Sequence, residues 1–215
     1  MLELKLVSTQ SRHFEEHAAE YQKQITSLQL ITIGWMCVEA GIAIAAAMRA
    51  RSVALLAFGA DSAIELLSAT VVFLRFRNIA RVNEKRAARI TGILLFALAA
   101  FILASSAAAL ASAGFRPEPS YLGIAVLVAA AALMPWLSRQ KRKLALKTSS
   151  GSLKADAVQS SMCAYMAWIA LGGLILNAVF KVSWADPAAA LLLVPIVVRE
   201  GWEGMQVRSC ADCNS

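Results

Sequence analysis

The sequence predicts an all-α membrane protein of six transmembrane helices, on three observations. Of 215 residues, 59% are hydrophobic and the mean hydropathy is +0.60, which no soluble single-core domain of this size requires. The apolar residues fall in long blocks over 28–48, 53–74, 90–112, 120–138, 157–180 and 185–199, and a helix needs about 20 such residues to cross the hydrocarbon. Basic residues alternate with those blocks.

The first 27 residues are polar, hold acids throughout and have no apolar core of the signal-peptide kind, so no cleaved leader is expected. "SRHFEEHAAEYQKQITSL", residues 11–28, reads as an amphipathic helix at the membrane surface, and 1–27 is taken as a cytoplasmic N-terminal segment. Residues 28–200 form the membrane domain. Its loops after spans two and four carry Arg75, Arg77, Arg81, Lys85, Arg86 and Arg89, then Arg139, Lys141, Arg142, Lys143, Lys147 and Lys154. The opposite loops hold only Arg49 and Arg51, then Arg116, then Lys181. By the positive-inside rule both termini are cytoplasmic. The net charge of +7 then follows from topology and anionic lipid, and nucleic acid is not needed as a partner. "KTSSGS", residues 147–152, is a short connector into span five. The fifteen residues after Glu200 are too few to fold alone, so 201–215 is expected to be a short cytoplasmic tail and not a C-terminal cytoplasmic domain. Without organelle or lipidation signals, a bacterial inner membrane is the default location.

The chemistry starts in span two, where "FGADSAIELL", residues 58–67, places Asp61 and Glu65 one turn apart. An ionisable group at a span's centre costs about 2.5–3.5 kcal/mol on insertion scales, so two require compensation. Four residues apart they lie about 40° apart in projection and about 6 Å along the axis, and they converge from one face. Hard anionic oxygens so arranged suit a divalent cation; protonation or an Arg partner are the structural alternatives. As drawn, spans one to five contain no Lys or Arg, which disfavours an internal ion pair.

Span five offers a second polar face in "LKADAVQSSMCAYMAW", residues 153–168. Gln159 and Cys163 are again four apart, and Asp156 lies one turn earlier. A carbonyl oxygen and a sulfur are plausible transition-metal donors, although such residues equally serve as interhelical hydrogen-bonders and packers.

These motifs, with "WADPAAALLLVPIVVREGWEG" at span six, resemble the cation diffusion facilitator family of divalent-metal/proton antiporters, over about residues 28–204. The resemblance implies a cation-efflux-type bundle whose tetrahedral site joins two residues of span two to two of span five. Carried over, Asp61 and Glu65 match the span-two pair, Gln159 stands where His is usual and Cys163 where Asp is usual. Asp156 matches the acid of the "AD" opening span five, and Asp186 and Pro187 the "DP" opening span six. The expected metal ligands are thus Asp61, Glu65, Gln159 and Cys163. The sulfur argues for zinc first, with cadmium, cobalt and iron as further candidates. The metal is cargo, and no permanent cofactor is expected. Members usually dimerise partly through a cytoplasmic domain, so a homodimer here is expected to be held through the spans.

Removing the cation from a dry site leaves carboxylates and a thiol that take up protons, which makes proton-driven export by alternating access the expected mechanism. Gly172, Gly173 and Ala170 allow close helix approach, or simply pack. His13 and His17, four apart beside Glu16 and Glu20, are a possible accessory metal pair or incidental residues of a solvated helix. "SCADCNS" supplies Cys210 and Cys213 as C-x-x-C, another possible accessory site, a redox pair or a plain tail. Asp156 belongs with these accessory candidates. Cys37 and Glu39 in span one are left outside the primary site. No span contains His, and no nucleophile elbow is present, so an enzyme is not expected. The rival reading is a metal-binding membrane regulator or accessory subunit without transport.

Overall fold

The computed structural model describes residues 2–76, 84–112, 116–148 and 151–206, and every regular element among them is a helix. In order these are α1 (Leu2–Ala50), α2 (Val53–Phe76), α3 (Glu84–Ala111), α4 (Tyr121–Thr148), α5 (Gly151–Phe180) and α6 (Ala185–Met205). Each contains one of the apolar blocks. A helix satisfies its own backbone N–H and C=O groups, the condition hydrocarbon imposes on a spanning segment. Over Glu20–Ala50, Arg89–Ala111, Tyr121–Thr148 and Asp156–Phe180 the chain is long and apolar enough to cross a bilayer. α2 and α6 bring acids into the bundle.

The N-terminal segment and the first span are one helix of 49 residues, about 70 Å long at 1.5 Å per residue. The physical reason lies in composition: no Gly or Pro occurs between Leu2 and Gly34, so nothing interrupts the helix where the polar stretch meets the apolar one.

α4 lies along α5, α3 along α6 and α1 along α2, while α2 also touches α3, α5 and α6. The core between them is built from small and medium side chains, Ala43, Ala54, Phe58, Ile102, Leu127 and Leu193 among the fully buried ones. Phe101, Tyr165, Trp168, Val179 and Leu192 face outward, as lipid contact requires. Close approach depends on glycine at two places. A Cβ on Gly92 of α3 would stand 2.8 Å from the Gly201 carbonyl oxygen of α6, and one on Gly173 of α5 would stand 2.5 Å from Ala189 Cβ. Gly172, by contrast, faces open space.

The α1–α2 turn is tied to the start of α6. Arg51 adopts a left-handed conformation (φ 52°) and ends α1. Ser52 then caps α2, its Oγ accepting from Leu55 N at 3.0 Å. The same hydroxyl donates to Asp186 Oδ1, and Val53 N donates to Asp186 Oδ2 at 2.8 Å. Asp186 sits in the first turn of α6, where the helix dipole favours an acid. Pro187 follows in that turn, where its missing N–H has no intrahelical partner to lose. Hydrogen bonds to a charged acceptor contribute about 1.5–3 kcal/mol each, so Asp186→Ala is expected to destabilise the fold by about 3 kcal/mol. A lowered unfolding midpoint in detergent would report it, with Asp186→Asn intermediate.

Candidate metal centre

Asp61 and Glu65 both point into the bundle from α2, with 0% and 4% of their surfaces exposed. Glu200 joins them from α6. One ligand oxygen from each of the three lies within 4.8 Å of the other two. Both oxygens of Asp61, Glu65 Oε1 and both oxygens of Glu200 are buried without a hydrogen-bond partner among the described residues. Buried polar atoms are normally paired, so five orphaned acceptors in one place call for an explanation. Mutual repulsion sharpens the point: two unit charges about 5 Å apart repel by about 3 kcal/mol at an effective dielectric of about 20. Protons or a cation would relieve it.

The sequence reading missed Glu200, because its last span stops at 199 while α6 runs on to Met205. A positional signal did exist. Glu200 lies fourteen residues after Asp186, about 40° away in projection, and the stripe between them is buried through Ala190, Leu193 and Val197. Whatever face of α6 carries Asp186 toward α2 therefore carries Glu200 there as well. The Gly92–Gly201 approach holds that end of α6 against α3, one residue from the carboxylate.

Cys163 is fully buried on α5, but its hydrogen-bond partner is an acid outside the trio: Sγ donates to Glu39 Oε1 at 3.7 Å. Glu39 also accepts from Ser62 Oγ at 2.7 Å and, on its other oxygen, from Trp35 Nε1. Its carboxylate is thus satisfied where those of Asp61, Glu65 and Glu200 are not, a contrast that separates a structural buried acid from a ligand-seeking one. Gln159 is half-buried one turn before Cys163, and Cys37 is exposed.

Asp156 is engaged elsewhere. One oxygen accepts from Lys141 Nζ at 3.0 Å and the other from Gln29 Nε2 at 2.7 Å, while Lys141 also donates to Ser160 Oγ at 3.0 Å. Lys141 is fully buried. Reading span four as ending at 138 placed it in a loop; α4 instead continues to Thr148 and turns Lys141 inward, so the bundle does contain an internal ion pair. An accessory metal at Asp156 would have to displace these partners. His13 and His17 lie on α1 where only the backbone is described, and Cys210 and Cys213 fall outside the described residues.

No curated protein matches the chain. The family model for the cation efflux transmembrane domain matches residues 30–204, from within α1 almost to the end of α6. Six helices, intramembrane acids on α2 and a match over most of the sequence lead to one conclusion: this chain is a multi-pass membrane protein of the cation efflux family, whose members transport metal cations.

Proposed function

We propose that the protein exchanges a divalent transition-metal ion for protons by alternating access, with Asp61 and Glu65 at the heart of the site. The observation that carries this reading is the set of buried carboxylate oxygens without partners. A divalent cation compensates two of the charges, and protons compensate them once the ion has left, so the two loads alternate at the same atoms. Export from the cytoplasm, with both termini on that side of a bacterial inner membrane, follows from the basic loops and the family's usual direction. Dimerisation would run through the helices. A preference for zinc would require Cys163, with Gln159, to join the two acids.

The test is metal uptake by proteoliposomes holding the purified protein, with and without an imposed pH gradient, beside Asp61→Ala. Flux that follows the gradient and disappears in Asp61→Ala is expected. Metal binding without flux under any gradient would favour a regulator or accessory subunit instead.

A further inference from the structure

We propose that Glu200 is the third ligand of the transport site, which makes it an all-oxygen site for hard to borderline divalent cations such as manganese(II), iron(II) and cobalt(II), rather than a sulfur site for thiophilic ones. This rests on the transport reading above and specifies its cargo.

Three observations converge. The first is distance: the ligand oxygens of Asp61, Glu65 and Glu200 lie within 4.8 Å of one another. An ion about 2.0–2.6 Å from each oxygen, the range of hard cations with carboxylate ligands, fits that span. Next comes the state of the ligands, since Asp61 is fully buried with both oxygens unpartnered and both Glu200 oxygens are buried and unpartnered as well. The last concerns the sulfur. Cys163 is not among the three clustered residues, and its Sγ is directed at Glu39, an acid already holding Ser62 and Trp35.

The consequence for selectivity is chemical. Thiolate donors select zinc and other soft or borderline ions, whereas carboxylate and water suit harder ones. Three carboxylates leave room for water on the remaining positions of a six-coordinate ion, which favours ions that keep part of their hydration. Glu200 also makes α6 part of the site. Any movement of α6 against α2 would then open or close the ligand set, and the close glycine contact of α6 with α3 lies beside Glu200.

Cobalt(II) provides the probe, because thiolate ligation produces a sulfur-to-cobalt charge-transfer band in the near ultraviolet and oxygen ligation does not. Cobalt titrations would be run on the full chain in detergent for wild type, Glu200→Gln, Cys163→Ser and Asp61→Ala, with cadmium as competitor. The expected result is wild-type binding without the charge-transfer band, affinity reduced at least about 100-fold in Glu200→Gln, more than outer partners of a metal site usually contribute, and cadmium competing equally against wild type and Cys163→Ser. A charge-transfer band that vanishes in Cys163→Ser would overturn the proposal, as would unchanged binding by Glu200→Gln. The band is read on wild type, so the answer survives if Glu200→Gln fails to fold. Absence of binding by wild type and Asp61→Ala alike would instead remove the transport reading and this inference with it.

Discussion

Asp61→Asn is expected to make the metal-free protein more stable at pH 8 while abolishing the stabilisation that metal confers on the wild type. The carboxamide keeps the shape of the side chain and removes a buried carboxylate whose two oxygens have no hydrogen-bond partner among the described residues and which stands beside two further acids. Wherever two of these are ionised together, about 5 Å apart, they repel by about 3 kcal/mol at an effective dielectric of about 20. A cation that binds only the folded state stabilises it by about 2.7 kcal/mol at 100 times its dissociation constant. The wild type should show that gain as a rise in unfolding midpoint with added cobalt or manganese, and Asp61→Asn should show almost none. Such a trade of stability for function is common where a site holds groups the fold itself does not satisfy. Glu39→Gln is the informative contrast. Its carboxylate already accepts from Ser62, Trp35 and Cys163, so its removal should destabilise the metal-free protein instead. An equal metal-dependent shift in Asp61→Asn and wild type would remove Asp61 from the site.

Lys141→Met should be among the most destabilising single changes in the bundle. Breaking a buried ion pair by deleting one partner costs about 3–5 kcal/mol, because the remaining charge is left uncompensated. Here the remaining group is Asp156, which would keep Gln29 as its neighbour but lose its counter-charge, and Ser160 would lose its donor. Adding Asp156→Asn should recover much of the loss, since the orphaned charge then disappears too. A double-mutant cycle on unfolding free energies in detergent measures the coupling. A loss below about 0.5 kcal/mol for Lys141→Met, the scale of an ordinary surface change, would show that water serves the pair. Through Gln29, Lys141 and Asp156 the pair ties α1, α4 and α5 together. The exposed Arg199–Glu203 pair at 2.9 Å has no comparable role, being solvated at both ends.

By itself, the sequence determined the class of molecule, the six helices and the convergence of Asp61 with Glu65. Each of these is local: hydropathy over about 20 residues selects a span, and a spacing of four selects a face. The tertiary structure decided everything that depends on which faces meet. Charged residues at the margins of a span show why. Lys141 lies three residues past the expected end of span four and Glu200 one past that of span six, and hydropathy assigns both to the interface regardless of direction. Only the packing of α4 on α5 turns Lys141 toward Asp156, and only the packing of α6 on α2 and α3 turns Glu200 toward Asp61. Cys163 illustrates the same limit from inside a span. Its spacing from Gln159 matched a ligand pair, yet the neighbour that α1 presents to its sulfur is Glu39, 124 residues away in the chain. Periodicity specifies the direction of a side chain relative to its own helix axis; the partner it finds there depends on how distant helices pack, which no local pattern encodes.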